Sequence, residues 1–189
     1  MEAIIIRARG TSLPEGNDEA LALRARTDPG AFGELYERHR DAVYRYLRAR
    51  TANDDLALEL SAVTFERAFL AIPKYRTRGG GILAWLFRIA RNAATDEARR
   101  LRRRADGTDD RRASQAATPE QLVLRSEQRV ELLQQVRELP DDQRDALALR
   151  YGARLTAREI GAVIGKSEAA TQKLFSRALA RLREELDED

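Results

Sequence analysis

Apolar residues recur at helical spacing along most of the chain. Phe32, Leu35, Tyr36, Val43, Tyr46 and Leu47 predict an amphipathic helix over residues 29–51, opened by Asp28 as N-cap with Pro29 at the first helical position. After the polar break Asn53-Asp54-Asp55, the series Leu56, Leu60, Val63, Phe65, Phe69 and Leu70 predicts a second helix, which Pro73 stops. Residues 74–81, KYRTRGGG, are basic and end on three glycines, a composition that predicts a mobile loop. From residue 82 to about residue 104 a third helix runs through Leu83, Leu86, Phe87, Ala90, Ala94 and Leu101.

Residues 105–118, ADGTDDRRASQAAT, contain no large hydrophobic side chain and read as a linker. Thr118-Pro119-Glu120 then opens another helix, followed by Leu122, Leu124, Val130, Leu133, Val136 and Leu139. Further helices are predicted over 141–151, about 156–164 and 167 to about 186, and period-two alternation is nowhere sustained. The expected fold class is all-α: two small helical domains, residues 18–104 and 119–189, joined by a flexible linker, the second a helix-turn-helix. Each is expected to have its own small core, and residues 1–17, with Gly10, Pro14 and Gly16, read as a disordered tail.

The stretch EIGAVIGKSEAAT, residues 159–171, distinguishes two chemistries. A phosphate loop needs four residues between its glycines before Gly-Lys-Ser, but Gly161 and Gly165 enclose only three, and Ile160 stands where the first glycine belongs. No strand precedes it either. A helix-turn-helix fits better. Thr156 and Glu159 have the spacing of a capping box, and Ile160, Val163 and Ile164 form an apolar face. Gly165 falls where a left-handed helix end needs glycine, and Ser167 caps the next helix. On that helix Phe175, Leu179 and Leu182 share one side, while Gln172, Lys173, Ser176 and Arg177 present donors suited to base edges and phosphates.

Composition narrows the function. There is no cysteine and one histidine, which excludes disulfides and thiolate metal sites and leaves no zinc cluster; no cofactor or metal is expected. The N-terminal run Ile4-Ile5-Ile6 is too short for a signal peptide or a membrane span, so a reducing, cytoplasmic setting without membrane contact is expected. Residues 72–104 hold ten basic and two acidic residues, a net +8 in a chain whose total is +3, so everything outside this segment sums to −5. Such a segment suits a polyanion. Its arginines stand beside Trp85, Tyr75 and Asn92, combining phosphate attraction with rings on which unstacked bases can sit, although Trp85 also suits a core position. His39, within ERHRD, reads as a solvent-facing helix residue, and no carboxylate pair forms a convincing metal or catalytic arrangement, so an enzyme is not expected.

The segments AFGELYERHRDAVYRYLRAR, TFERAF, AWLFRIARNAATDEARR, LPDDQRDALALRY and LTAREIGAVIGKSEAATQKLFSRALARLREEL stand in the order and spacing of one family. From Pro29 to Leu186 the chain resembles the bacterial extracytoplasmic-function (ECF) sigma factors of the sigma-70 superfamily, initiation subunits of RNA polymerase. The resemblance implies that region 2, residues 18–104, binds the clamp helices of the largest polymerase subunit through Glu59, Leu60, Ala62, Val63 and Glu66. It also implies capture of a flipped-out minus-ten base in the loop 74–82. The minus-ten set would be Lys74, Tyr75, Arg76, Arg78, Trp85, Arg88, Asn92, Asp96, Arg99 and Arg100. Region 4, residues 119–189, would sit on the flap of the second-largest subunit and read the minus-thirty-five element through Arg158, Glu159, Ser167, Gln172, Lys173, Ser176 and Arg177. The linker 105–118 would run through the polymerase, and an anti-sigma factor would be a partner. With the sequence running to Asp189, control is expected from a separate protein or from expression level rather than from an appended domain.

Three departures from the family pattern stand out. Where relatives read Asp-Leu-Thr-Gln-Glu-Thr-Phe, this chain has Glu59-Leu60-Ser61-Ala62-Val63-Thr64-Phe65, exchanging two polar residues for apolar ones. Gly79-Gly80-Gly81-Ile82 replaces a Ser-Phe or similar pair, so the loop is expected to lose more entropy on ordering. Gln172 and Lys173 replace the usual Lys or Arg and Ser. The main rival is a self-sufficient DNA-binding regulator, which would leave residues 29–104 without a purpose.

Overall fold

The computed structural model describes residues 15–77, 79–107, 135–136 and 138–187. The helices are α1 (Glu15–Ala25), α2 (Pro29–Thr51), α3 (Asp54–Ala71), α4 (Gly81–Gly107), α5 (Asp141–Leu147), α6 (Ala157–Ile164) and α7 (Glu168–Asp187). A 3₁₀ turn, Ile72–Lys74, follows α3, and α5 widens into a π turn, Ala148–Gly152. No strand occurs among the described residues. Most of the helix expected after Thr118 and most of the expected linker lie outside the described residues; of 105–118 only Ala105–Gly107 is described, as the last turn of α4.

Local chemistry sets the helix starts. Asp28 accepts a hydrogen bond from Gly30 N at 2.8 Å to open α2, with Pro29 inside the first turn. Asn53 accepts from Leu56 N at 2.9 Å to open α3, so the residue read as part of a break is the cap. Each bond satisfies a backbone N–H that the helix cannot pair internally.

The sequence pattern did not reveal α1. It starts at Glu15, inside the segment read as tail, and buries Leu21, Ala22 and Ala25 against Ala31, Leu35, Ile72, Tyr75 and Ile82. Asp18 fastens it to α2: its Oδ1 is 2.7 Å from Arg38 Nη1 and its Oδ2 is 3.1 Å from His39 Nε2. His39 is therefore not solvent-facing but 1% exposed. The reason is α1, which covers a face of α2 that the histidine would otherwise share with water.

The expectation of separate small cores is also corrected. One cluster joins Val43, Tyr46, Leu47, Phe87 and Ala90 of the first half with Ala146, Leu149, Leu155 and Ile160 of the second. The rings of Tyr46 and Phe87 meet edge to face at 5.6 Å inside it. A second cluster lies under α1, and a third joins Leu139 and Leu147 to Ala178 and Leu182 of α7.

Burial pushes the His39 pKa down; Asp18 pulls it up and Arg38 pushes it further down. The unfolded chain therefore binds more protons than the folded chain as pH falls below the ordinary histidine value of about 6.5, and stability present above that value is lost below it. The thermal midpoint is expected to drop between about pH 7.5 and about pH 5.5, with a shallower drop in His39→Gln, measured by circular dichroism melting at both pH values.

Candidate nucleic-acid interface

Between the 3₁₀ turn and α4 lies a cavity of about 310 Å³ lined by Lys74, Tyr75, Arg76, Gly81, Trp85 and Arg88. All but Gly81 belong to the set expected to hold the minus-ten strand. Lys74 and Arg76 are exposed, Trp85 is half-buried, and Arg88 Nε donates to Ala84 O at 3.1 Å. Tyr75 is not the free stacking surface that the sequence suggested: it is 2% exposed, and its ring meets Trp85 edge to face at 5.2 Å. Trp85 thus serves both of its readings, packing against the core while lining the cavity. Arg78 lies outside the described residues.

The glycine loop is more constrained than its composition implied. Gly80 and Gly81 have φ of +91° and +63°, a region that favours glycine. Glu19 of α1, absent from every motif above, accepts hydrogen bonds from Tyr75 OH at 2.9 Å and Ile82 N at 3.1 Å, and from Thr77 Oγ1. Burial foremost, then Glu19, pushes the Tyr75 hydroxyl pKa well up, so the phenol stays neutral and donates.

Further along α4, Asn92, Asp96, Arg99 and Arg100 are exposed. Asp96 pairs with Arg67 of α3 at 3.2 Å, and Arg100 Nε with Glu97 at 2.7 Å, so these side chains reach solvent already partnered. Arg91, counted in the basic segment, is engaged with the second half of the chain, as shown below.

On α3, Glu59, Ala62 and Glu66 are exposed in line with Phe69 and Leu70, which are 48% and 71% exposed. Leu60 departs from expectation: at 5% exposure it is a core residue, because it lies on the face of α3 that packs inward with Ala57, Thr64 and Ala68. Val63 is half-buried against the core, so of the two apolar departures only Ala62 points fully outward.

The helix-turn-helix forms as the sequence indicated. Thr156 and Glu159 make both bonds of the capping box, and Gly165 ends α6 at φ +74°. Glu159 Oε2 lies 2.6 Å from Thr156 N and 2.7 Å from Thr156 Oγ1, so this carboxylate is committed to the cap rather than offered to DNA. Gly161 is a spacing residue: a Cβ there would stand 2.6 Å from Lys166 O, where the turn folds back on α6. Ser167 Oγ accepts from Ala170 N at 3.2 Å and opens α7, and Gln172, Lys173, Ser176 and Arg177 are exposed along that helix. Ser176 Oγ donates to Gln172 O at 3.2 Å, and Arg158 is exposed on α6.

The two halves meet around Asp145, which is 1% exposed. Its Oδ1 accepts from Tyr46 OH at 3.0 Å and Arg50 Nε at 2.7 Å, and its Oδ2 from Arg91 Nε at 2.6 Å. Arg50 also reaches Asp141 at 3.1 Å and Arg91 reaches Asp142 at 2.8 Å. Beside them Arg45 Nε donates to Gly152 O at 3.1 Å, and a Cβ on Gly152 would stand 2.7 Å from Arg45 O. A second contact places Ala162 of α6 on Gly80 of the loop.

Against this geometry, the Sigma-70 region 2 model matches residues 35–104 and the Sigma-70 region 4 model matches residues 136–184. ECF RNA polymerase sigma factor BldN of Streptomyces coelicolor is 35% identical over 162 residues; the alignment covers 84% of this chain and 61% of BldN. SigD of Mycobacterium tuberculosis is 33% identical over 180 residues, covering 89% of this chain and 83% of SigD. Among solved structures, CnrH in complex with the cytosolic domain of CnrY matches with a TM-score of 0.68 at 26% identity, covering 92% of this chain and 99% of that one. RpoE in complex with the anti-sigma factor NepR from Bartonella quintana matches with a TM-score of 0.64 at 25% identity, covering 84% of this chain and 98% of that one. The chain belongs to the ECF RNA polymerase sigma factors. Its two helical units are sigma regions 2 and 4, and its role is promoter recognition in transcription initiation, regulatory rather than catalytic.

Asp145→Ala would leave Arg50 and Arg91 facing each other without their shared acceptor. A loss of about 3–5 kcal/mol from the contact between the halves is expected. It would be read as an increased radius of gyration in X-ray scattering, with helix content unchanged by circular dichroism.

Proposed function

We propose that this chain binds RNA polymerase core through the exposed stripe of α3, holds an unpaired minus-ten base in the cavity before α4, and reads the minus-thirty-five element with α7. The observation that carries this reading is the cavity itself. At about 310 Å³, lined by three cationic side chains, a half-buried indole and a glycine backbone, it has room for a nucleobase and charge for its phosphates. Region 2 would span residues 18–104, region 4 residues 119–189, and the linker 105–118 between them would thread the polymerase. The setting would be cytoplasmic; among the described residues no helix is long and apolar enough to cross a membrane. An anti-sigma factor is a further expected partner, since the Bartonella RpoE is solved in complex with the anti-sigma factor NepR and CnrH in complex with the cytosolic domain of CnrY.

The closed contact bears on how such a protein would engage a promoter. The names of the two elements put them about 25 base pairs apart, or about 85 Å of duplex. In the closed form α6 touches the loop. Reading both elements at once therefore requires the halves to part, and polymerase core, with separate seats for regions 2 and 4, supplies the separation.

Adding the purified protein to core polymerase that lacks any sigma subunit, with fragmented genomic DNA, is expected to produce transcripts whose start sites share two spaced upstream motifs. Absence of both core binding and new starts, with tight binding of the free protein to duplex DNA, would favour the stand-alone regulator. On α3, Ala62→Lys is expected to weaken core binding about tenfold by placing a charge in an apolar contact, whereas Ala62→Gln, which restores the family residue, should leave it unchanged or tighter. Fluorescence anisotropy with labelled protein and core would measure both.

A further inference from the structure

The loop before α4 has no hydrogen-bonding side chain of its own at its centre, where three glycines stand together. What fixes it comes from α1. Glu19 reaches the chain on both sides of the glycines: Tyr75 OH lies 2.9 Å from each of its carboxylate oxygens, Thr77 Oγ1 donates to Oε1, and Ile82 N donates to Oε2 at 3.1 Å. Ile82 is the second residue of α4, so Glu19 also supplies a negative cap to the start of that helix. A Cβ on Gly81 would lie 3.1 Å from Glu19 Oε2, so the carboxylate and the backbone are already in close approach. One position upstream, Asp18 pins α1 to Arg38 and His39 of α2. The chain of support therefore runs from the core of α2 through adjacent acids to the rim of the cavity.

We propose that Glu19 is a positioning residue for minus-ten recognition: by clamping Tyr75, Thr77 and Ile82 with one carboxylate, it holds the glycine loop in the shape that accepts a single unstacked base. This rests on the reading of the cavity as the base site. Glu19 makes no contact with the strand. It fixes Tyr75, which forms part of the cavity wall, and the backbone around Gly81, which forms its edge. The clamp also accounts for the triple glycine. Two of these residues adopt positive φ so that the chain can turn sharply between the anchor at Thr77 and the anchor at Ile82.

The test uses holoenzyme assembled from the full chain and core polymerase, with fork-junction DNA carrying an abasic site at each minus-ten position in turn. Wild-type protein should lose affinity sharply at one position, which identifies the captured base. Glu19→Gln, which keeps the shape but removes the charge and an acceptor, should reduce that intact-to-abasic affinity ratio about tenfold while leaving core binding and affinity for the abasic fork unchanged. Thr77→Val, at an exposed site outside the core, removes only one arm of the clamp and should give a smaller reduction of the same ratio. An unchanged ratio in both variants would overturn the proposal. Equal loss of core binding and of all fork affinities would overturn it too, because Glu19 would then be only a structural support. If wild-type holoenzyme itself shows no single sensitive position, the reading of the cavity fails, and the role proposed for Glu19 fails with it.

Discussion

A buried carboxylate shared between two arginines and a tyrosine decides the architecture of this sigma factor. Asp145 belongs to region 4, and Tyr46, Arg50 and Arg91 to region 2. Removing a carboxylate from water is costly unless its lone pairs are met, and here three donors meet them. Arg91 feels the same balance: burial would lower its pKa, but Asp145 and Asp142 outweigh it and raise it, so the guanidinium stays charged. Burial likewise pushes the Tyr46 hydroxyl far up, which keeps it a donor. Because the cluster is satisfied, Ala146 and Leu149 can pack against Tyr46 and Phe87, and one hydrophobic core extends across both regions.

What was legible in the sequence was local. The capping box, the glycine at the end of α6 and the serine cap of α7 each depend on residues within a turn of one another, and all formed. The caps of α2 and α3 were within reach for the same reason. The missing pieces were long-range. Glu19 meets Tyr75 and Ile82 from 56 and 63 residues away, and Asp145 meets Tyr46 from 99 residues away. No periodicity carries that information. The acidic triplet Asp141, Asp142 and Asp145 was visible within LPDDQRD, but nothing local said which arginines it would find.

Two of the expected site residues are more buried than their segments suggested, for a related reason. Leu60 and Tyr75 sit in segments that resemble functional motifs, yet each is turned inward and lies at or below 5% exposure. A motif fixes which residues are present, whereas helix phase and packing fix which of them a partner can touch. Helix α1 escaped detection because its buried set, Leu21, Ala22 and Ala25, is short and mostly alanine. Its importance lies in Asp18 and Glu19, whose bonds become visible only once the helix is docked.

Gly152 gives the interface its character. Its α-carbon lies so near the α2 backbone that a methyl group would collide with Arg45 O at 2.7 Å. Contacts this close, set beside a buried ion cluster, are expected to be made or lost together rather than to loosen by degrees. On the proposed reading, a chain that closes in this way when alone would present its two DNA readers at the wrong separation. Spare copies of the free protein would then be unable to span whole promoters and withhold them from polymerase.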